Sequence, residues 1–527
     1  NPARCFGFVA RACSGGSSNN HLGISVRSDS FGCLPRDGLR AIFGLCFLLS
    51  GAAFAATSSD GVWSDVAESG LMRIGERQIV PQHYRTVRLQ RAAFDALLKQ
   101  VPREQDVALR NSAATLELPL ADGRFAAFQV VETPLLAPEL AKKFPALRTW
   151  VGQGIDDPTA TLRFDLTPKG FHAQIIAVGG TEYIDPYQLG DDSNYIAYRK
   201  QDHVHGEEIR CGVTGEPISK ESIAEHLDHV GGKVSSGATL RTYRLAVAAT
   251  GEYTQFHGGT VLDGLGAIVT TINRVNGIYE REVSVRFQLV ANNDLIIFTN
   301  AGTDPYDNDS GDLGANVTTI NGAIGSSNYD VGHLVGTGGG GVASLGVICT
   351  TSKARGLTGS GSPVGDAFDV DYVAHEMGHQ FGGNHTFNGS GANCSGGNRN
   401  GATAYEPGSG ITIQAYAGIC GGDNLQPNSE DYFHRVSLNE IIAHTTTGSG
   451  GTCGTTNATG NAVPTVTTAA GFSIPRSTPF ELDAVGVDGD PGDVLTYLWE
   501  EFDLGAANAA GSLVDNGTRA LFRSFAP

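Results

Sequence analysis

The sequence predicts three regions of different fold class. We expect a mostly β region in residues 56–236, an α/β (α+β) domain with a mixed sheet in residues 237–456, and a β-sandwich-like module in residues 463–527. Short apolar runs alternate with turns in the first region, strand and helix patterns alternate in the second, and short strands alternate with acidic turns in the third. A chain of 527 residues has room for these domains.

The elements follow from local patterns. One helix is predicted in the first region, near LQRAAFDALLKQV. In the second region, TLRTYRLAVAAT and SVRFQLVANN are typical of strands, and VLDGLGAIVTTINRVNGIYEREV between them has helical spacing. Another helix is predicted near LGANVTTINGAIG, with two short strands after it in YDVGHLVGTGGGGVASLGVIC. In the third region, FELDAVGVDGDPGDVLTYLWEEFD favours an Ig- or PKD-like β module that is truncated.

Charge and composition restrict the function. The chain has 55 acidic against 36 basic side chains and a formal net charge of -19. Because binding to nucleic acid needs a basic face, the charge argues against a nucleic-acid partner. The 71 glycines and the 17% of charged residues indicate many turns and short strands. This composition suits a soluble, secreted protein.

A secretory signal peptide is predicted over residues 36–55. The stretch RDGLRAIFGLCFLLSGAAFAAT has two arginines, an apolar run from Ala41 to Leu49, and small residues at Ala53 and Ala55, in the order that a signal peptide requires. The alternative is a transmembrane helix, but the apolar run is shorter than the roughly 20 residues of a span. We therefore expect residues 1–35 to be a non-native or extended N-terminus, and the mature chain to be secreted without a membrane span.

The stretch VAHEMGHQFGGNHTF predicts a metal site. His375 and His379 are four residues apart, so on a helix their imidazoles share one face and can fill two corners of a tetrahedral zinc site. Gly382 can adopt the positive φ that ends a helix, which would bring His385 to the metal as a third ligand. The fourth corner would stay open for water, as in a catalytic zinc site.

Glu376 is the candidate catalytic residue. It follows the first histidine, lies beside the metal and could take a proton from zinc-bound water. The alternative is a chance HExxH on a helix, and the fixed offsets of Gly382 and His385 argue against it. Asp366 or Asp369 is expected to cap the helix.

These residues also carry a family resemblance. H-E-M-G-H-Q-F-G-G-N-H matches the signature H-E-x-x-H-x-x-G-x-x-H, and the chain resembles the metzincin metalloproteases, most of all their reprolysin (adamalysin-like) branch. GVASLGVICTTSKARG is similar to the segment that those enzymes place before the active-site helix. The resemblance covers about residues 239–455. It implies a zinc endopeptidase acting on a protein or peptide, with a cleft between an upper mixed sheet and a small lower subdomain.

The chain departs from the family at the Met-turn. Its two methionines, Met72 and Met377, both precede the third histidine. In GSGITIQAYAGIC, Gln414 stands where methionine is expected, and we expect weaker packing under the imidazoles but no loss of zinc. Tyr416 corresponds to a tyrosine of astacin-like and serralysin-like metzincins. It could stabilise an oxyanion or contact zinc, or it could be a buried residue that supports the turn.

Five cysteines follow the predicted signal peptide, so two disulfides would leave one thiol over. Cys211 lies in EEIRCGVTGE, upstream of a Gly/Ser linker, and its thiolate could occupy the fourth corner of the zinc. Its sequence is similar to the cysteine switch of adamalysin and matrix metalloproteinase propeptides, which implies that residues 56–236 are an inhibitory prodomain. The alternative is a free or disulfide-bonded loop cysteine. The remaining cysteines allow three pairings, and the resemblance implies Cys394–Cys420 and Cys349–Cys453.

Calcium is a second candidate ion. DPYDNDSGDLG and VDGDPGD are rich in aspartate, but their spacing does not match an EF-hand loop, and acidic capping turns are the alternative. The prediction is a secreted zinc endopeptidase made as a zymogen. Two rivals are a catalytically impaired metalloprotease-like adhesion or binding protein, supported by Gln414 alone, and a zinc hydrolase acting on a non-peptide bond.

Overall fold

The computed structural model describes residues 56–203, 211–215, 235–469, 471, 473–475, 477–510, 514–515 and 517–527, and the backbone of a strand at residues 8–16. The predicted signal peptide over residues 36–55 lies outside the described residues, as does most of the predicted linker. Within the described ranges, no helix is both long and apolar enough to cross a membrane.

Residues 56–203 form an N-terminal β unit built on one antiparallel sheet of nine described strands. In spatial order the strands are Trp63–Asp65, Arg85–Leu89, Asn194–Arg199, Gly180–Pro186, Gly170–Ala177, Thr161–Thr167, Arg148–Gly154, Phe125–Glu132 and Thr115–Pro119. Two helices, Arg91–Leu98 and Pro138–Lys143, accompany the sheet. Phe94 and Leu98 are four residues apart, so they share the buried face of the first helix. The sheet and the helix Arg91–Leu98 lie where the sequence predicts strands and a helix, while the helix Pro138–Lys143 is not predicted.

The middle of the chain has the predicted mixed sheet. In spatial order its strands are Cys211–Thr214, Gly341–Ser344, Gly356–Gly359, Val331–Gly336, Thr239–Ala249 and Val285–Leu289, and Thr455–Ala458 also pairs with Thr239–Ala249. The described α-helices are Gly251–Phe256, Val261–Val283, Leu313–Ala323, Asp366–Phe368, His375–Gln380 and Arg435–Thr446. Gly341–Ser344 runs antiparallel to Gly356–Gly359, while the neighbouring pair of Val331–Gly336 and Gly356–Gly359 is parallel.

The long helix Val261–Val283 lies between the N-terminal β unit and the mixed sheet. The Thr260 hydroxyl accepts the backbone N–H of Asp263 and caps its first turn, and Ser284 ends the helix in the left-handed conformation. Most of its side chains are buried, as expected for a helix covered on more than one face. Arg274 of this helix donates to Asp185 of the β unit and to Asp369, which begins the turn before the candidate site.

The C-terminal part differs from the predicted module. Its described strands are Thr465–Thr468, Ala484–Val487 and Asp493–Glu501. The first two form an antiparallel pair, and the third pairs with the backbone of Phe8–Gly16. These strands do not make up the two packed sheets of a sandwich, so the β-sandwich-like module stays a prediction.

Candidate metal centre

The helix that carries the histidines is irregular. An α-helical turn at Asp366–Phe368 leads into a π-helix at Asp369–Ala374, and α-helix resumes at His375–Gln380. The predicted cap by Asp366 or Asp369 is wrong, because Gly365 occupies the N-cap position without a side-chain hydrogen bond. Both aspartates instead bind cationic side chains from other parts of the chain. A π-helical segment beside a functional site is a recurrent feature of proteins.

The three predicted histidines meet at one point. The Nε2 atom of His379 lies 3.0 Å from Nε2 of His375 and 3.1 Å from Nε2 of His385. The first two come from consecutive helical turns, and Gly382, at φ +96°, reverses the chain so that His385 can approach. All three side chains are buried.

The opposite ring nitrogens fix the orientation of the imidazoles. Nδ1 of His375 lies 2.6 Å from the carbonyl oxygen of Ile413, Nδ1 of His379 lies 2.6 Å from that of Gly383, and Nδ1 of His385 lies 2.7 Å from that of Asn398. Because a carbonyl only accepts, each Nδ1 must carry the proton, and each Nε2 presents a lone pair.

Burial also keeps these rings neutral. It lowers the pKa of His375 to about 4 and that of His385 to about 3, and it lowers the pKa of His379 well below its usual value. Three neutral imidazoles therefore point their lone pairs at one another across about 3 Å, an arrangement that a cation would stabilise.

A fourth donor completes the set. Sγ of Cys211 lies 3.3 Å from Nε2 of His375 and 3.6 Å from Nε2 of both His379 and His385. Around a tetrahedral zinc with ordinary bond lengths, two nitrogens are about 3.3 Å apart, and nitrogen and sulfur are about 3.6 Å apart. The observed separations are close to these values, and imidazole nitrogen and thiolate sulfur are both ligands that suit zinc. The residues present therefore fit this ion.

Cys211 reaches this position through strand pairing. The cysteine strand, Cys211–Thr214, pairs in parallel with the edge strand, Gly341–Ser344, and Cys211 is in register with Gly341. The backbone N–H of Leu345 donates to the carbonyl of Thr214 at 2.8 Å and extends the pairing. The outer side of the edge strand is thus covered by the segment that also brings a sulfur to the histidines.

Glu376 lies beside the four donors. Its side chain is fully buried, and no described group makes a hydrogen bond of good geometry with either carboxylate oxygen. Burial raises the pKa of the Glu376 carboxyl well above its usual range, and the Cys211 thiol opposes this shift. A Cβ at position 341 would lie 2.0 Å from Oε1 of Glu376, so only glycine fits there. A buried carboxyl next to a metal site is suited to accept and return a proton.

Gln414 and Tyr416 lie under and beside the histidines, in the predicted turn. Nε2 of the buried Gln414 donates to the carbonyl of Gly383 at 3.2 Å, the same oxygen that accepts the proton of His379. Its Oε1 has no partner among the described residues. The Tyr416 hydroxyl donates to the carbonyl of Cys211 at 3.2 Å, and its ring centroid is 4.5 Å from that of His385.

The structure contains two disulfide bonds among its described cysteines, Cys349–Cys453 and Cys394–Cys420, and Cys211 is a free thiol. These are the two pairs that the family resemblance implied. Cys394–Cys420 links the loop after His385 to the turn that holds Tyr416. Cys349–Cys453 joins the region beyond the edge strand to the end of the mixed-sheet domain.

Sequence reasoning missed a buried charge cluster next to the site. Nζ of Lys200, in the N-terminal β unit, lies 3.0 Å from Asp366, 3.1 Å from Asp371 and 2.5 Å from Asp431. All four side chains are less than a tenth exposed. Their positions are far apart along the chain and follow no periodic pattern, so no sequence signal indicates the cluster.

The acidic stretches predicted as calcium candidates differ from each other. Asp309 and Asp312 form a capping box at the turn Ser310–Asp312, which is the structural alternative to a calcium site. Asp488, Asp490 and Asp493 bring carboxylate oxygens within 4.8 Å of one another, and all three are half-buried. Hydrogen bonds to the backbone of the same turn, such as that from Asp490 N–H to Asp488, account for part of this arrangement.

Comparison with known proteins concerns the mixed-sheet domain. Residues 239–444 match the family described as Metallo-peptidase family M12B Reprolysin-like. Among solved structures, the chain is similar to a crystal structure of metalloproteinase-II from Bacteroides fragilis. The sequence identity is 10%, the alignment covers 66% of this chain and 97% of that chain, and the TM-score is 0.37. A TM-score of this size supports no further conclusion. No curated protein matches the sequence.

Proposed function

We propose, from the premise that residues 239–444 are a reprolysin-like metallopeptidase domain of family M12B, that the chain is a secreted, zinc-dependent endopeptidase made as a latent zymogen. In this proposal, residues 56–236 are the inhibitory prodomain and residues 237–456 are the catalytic domain.

One observation carries the proposal. Three buried imidazoles donate their Nδ1 protons to backbone carbonyls and turn their Nε2 lone pairs toward one point. Histidines that only support a core would instead direct both nitrogens to hydrogen-bond partners, as His333 does with Gln380 and Thr358. The arrangement of His375, His379 and His385 therefore supports a zinc site.

A zinc ion held by these residues would act as a Lewis acid toward a peptide carbonyl and toward water. Glu376 is proposed to accept a proton from the attacking water and to deliver it to the leaving amine. Burial suits it to the first step, because a carboxyl with a raised pKa binds a proton more readily than an exposed one. Tyr416 is proposed to hydrogen-bond the developing oxyanion once its hydroxyl is released from the carbonyl of Cys211.

The substrate is proposed to lie along the edge strand Gly341–Ser344. An extended peptide can add to the exposed edge of a sheet through main-chain hydrogen bonds. The cysteine strand uses this edge by parallel pairing. Because the edge strand lies beside Glu376, a peptide could bind in the same position after the cysteine strand leaves.

Latency is proposed to have two causes. Cys211 would take the fourth zinc corner and exclude water from it, and the cysteine strand would cover the edge that a substrate needs. Secretion is supported by the two disulfides, which are typical of proteins that fold in an oxidising compartment.

The test uses the full chain. The purified protein is assayed for bound zinc, then cut by limited proteolysis within residues 216–234 and assayed for casein hydrolysis with and without a chelator. We expect bound zinc, hydrolysis after cutting, loss of hydrolysis with chelator and recovery with added zinc. His385→Ala should lose both zinc and hydrolysis, while His83→Ala, a change at an exposed histidine, should keep both. Hydrolysis that survives in His385→Ala would contradict the proposal.

A further inference from the structure

The C-terminal segment, residues 500–510, packs directly on the long loop that begins at the third histidine. We call residues 385–423 the histidine loop. The ring of Phe502 stacks on that of Tyr405 with centroids 4.0 Å apart. The Glu500 carboxylate accepts the backbone N–H of Arg435 at the start of the helix after this loop. The sequence gives no reason to expect contact between these two parts of the chain.

The closest contacts surround two residues of the histidine loop, Arg399 and Asn388. Nε and Nη2 of Arg399 donate to Oδ1 of Asn388 at 2.9 and 2.7 Å, and Nη2 also donates to the carbonyl of Gly505 at 2.8 Å. Nδ2 of Asn388 donates to Oδ1 of Asn508 at 2.7 Å, and the backbone N–H of Asn508 donates to the carbonyl of Asn388 at 3.1 Å. Asn388 and Asn508 are both buried.

A second connection lies at the far end of the segment. Oδ1 of the buried Asp423 accepts the backbone N–H of Ala510 at 2.9 Å. Its Oδ2 accepts the N–H groups of Ser390 and Gly391 at 2.9 and 2.8 Å. Asp423 thus joins the start of the histidine loop, the end of the loop and the C-terminal segment.

These contacts lie next to Asn398, the residue that accepts a hydrogen bond from the proposed zinc ligand His385. The carbonyl of Asn398 accepts the Nδ1 proton of His385, and the next residue is Arg399. The described regular structure of the histidine loop is limited to 3-10 turns at Ala392–Cys394 and Gly421–Asp423 and one isolated bridge between Phe387 and Glu406. The disulfide Cys394–Cys420 braces this loop from within, and contacts from outside the loop add to that support in holding a carbonyl at a defined place.

We propose that the C-terminal segment stabilises the geometry of the metal centre, and that Arg399 is a positioning residue for His385. The inference rests on the proposed function, because it concerns how tightly the three histidines hold zinc. By clamping Asn388 and Gly505 together, the guanidinium fixes the backbone that carries the Asn398 carbonyl. That carbonyl in turn sets the orientation and basicity of His385.

The experiment measures zinc binding by the full chain in competition with a chelator. Arg399→Met is compared with the matched control Arg523→Met. Arg523 also donates a side-chain hydrogen bond, to Gln426 at 2.6 Å, but it lies outside the contacts described above. We expect the zinc dissociation constant of Arg399→Met to rise about tenfold or more, as for other changes to the partners of metal-binding histidines. The control should match the wild type, and Arg399→Lys, which keeps one donor, should recover part of the affinity.

A spectroscopic reading separates positioning from general destabilisation. With cobalt in place of zinc, the visible absorption reports the ligand geometry, and Arg399→Met should change it while Arg523→Met should not. If Arg399→Met does not fold, Asn508→Ala provides the same test, since it removes one acceptor of Asn388 and leaves the backbone bond in place. That variant should bind zinc severalfold more weakly than the control.

Three outcomes decide the matter. Weaker zinc binding with an altered cobalt spectrum supports the inference. The inference would be overturned if Arg399→Met had the same zinc affinity and cobalt spectrum as Arg523→Met; Asn508→Ala replaces Arg399→Met in this comparison if the latter does not fold. That result would leave the proposed function intact. A wild-type chain that binds no zinc would overturn the proposed function itself.

Discussion

Replacing Lys200 with methionine tests the buried charge cluster that joins the N-terminal β unit to the candidate site. The ammonium lies within 3.1 Å of carboxylates of Asp366, Asp371 and Asp431. Methionine has a similar length and no charge, so the change removes the cation and little volume. Removing one partner from a buried ion pair costs about 3–5 kcal/mol, because the remaining charge stays in a medium of low polarity. We expect a loss in this range for Lys200→Met at pH 8.

The loss should depend on pH in a defined direction. Burial raises the pKa of Asp366 to about 7, and Lys200 opposes that shift. A carboxyl with a raised pKa in the folded state binds more protons there than in the unfolded state between about pH 4 and pH 7, so its contribution to stability falls as the pH rises through this window. Without the ammonium the pKa should rise further. The deficit of Lys200→Met should therefore be smaller at pH 5 than at pH 8.

Urea unfolding of the full chain, followed by tryptophan fluorescence, measures this deficit. Trp63 and Trp150, two of the three tryptophans of the chain, are fully buried in the N-terminal β unit, so most of the emission reports its unfolding. Lys169→Met is the matched control. Lys169 of the N-terminal β unit pairs with Asp263 of the long helix at 3.2 Å, and both side chains of this pair are partly exposed. That pair should contribute about 1 kcal/mol or less. A deficit for Lys200→Met no larger than that of the control, or one that grows as the pH falls, would refute the reasoning.

The remaining predictions concern the candidate site itself. Glu376→Gln should keep its zinc and lose peptide hydrolysis by about 10²–10⁴-fold, and unchanged hydrolysis would exclude Glu376 as the base. Cys211→Ser should hydrolyse casein before any cleavage of the chain, but more slowly than the cut wild type, because the cysteine strand would still cover the edge strand. A variant as latent as the uncut wild type would show that the thiol adds nothing to the cover by this strand. Gln414→Met should raise the stability by about 1 kcal/mol, because a buried oxygen without a partner costs about 1–3 kcal/mol and the hydrogen bond lost with it contributes about 1 kcal/mol. A lower melting temperature for this variant would show that Gln414 is well accommodated.

The parts of the site that follow from local geometry could be predicted from the sequence. His375 and His379 share a helix face because of their four-residue spacing, and the positive φ of Gly382 follows from its place after the helix. The strand and helix order of the mixed-sheet domain also follows from periodic apolar patterns. Each of these features depends on residues that are close together in the chain.

The parts that depend on distant residues could not be predicted. The carbonyls that orient the imidazoles belong to Ile413, Gly383 and Asn398, and a backbone carbonyl leaves no mark on a sequence. The prediction of the helix cap was wrong for a related reason. Aspartate is a common cap, but Asp366 pairs with Lys200 and Asp369 pairs with Arg274. These charged hydrogen bonds are stronger than a cap and decide the orientation of both carboxylates.

The cover that the cysteine strand places over the histidines also constrains the order in which the protein can be assembled. With Cys211 within 3.6 Å of every imidazole and all three rings buried, little room is left for an ion to enter late. An ion that is to be held there has to arrive before, or together with, the docking of this strand. The supply of metal before the strand docks would then determine how much of the uncut protein holds the ion.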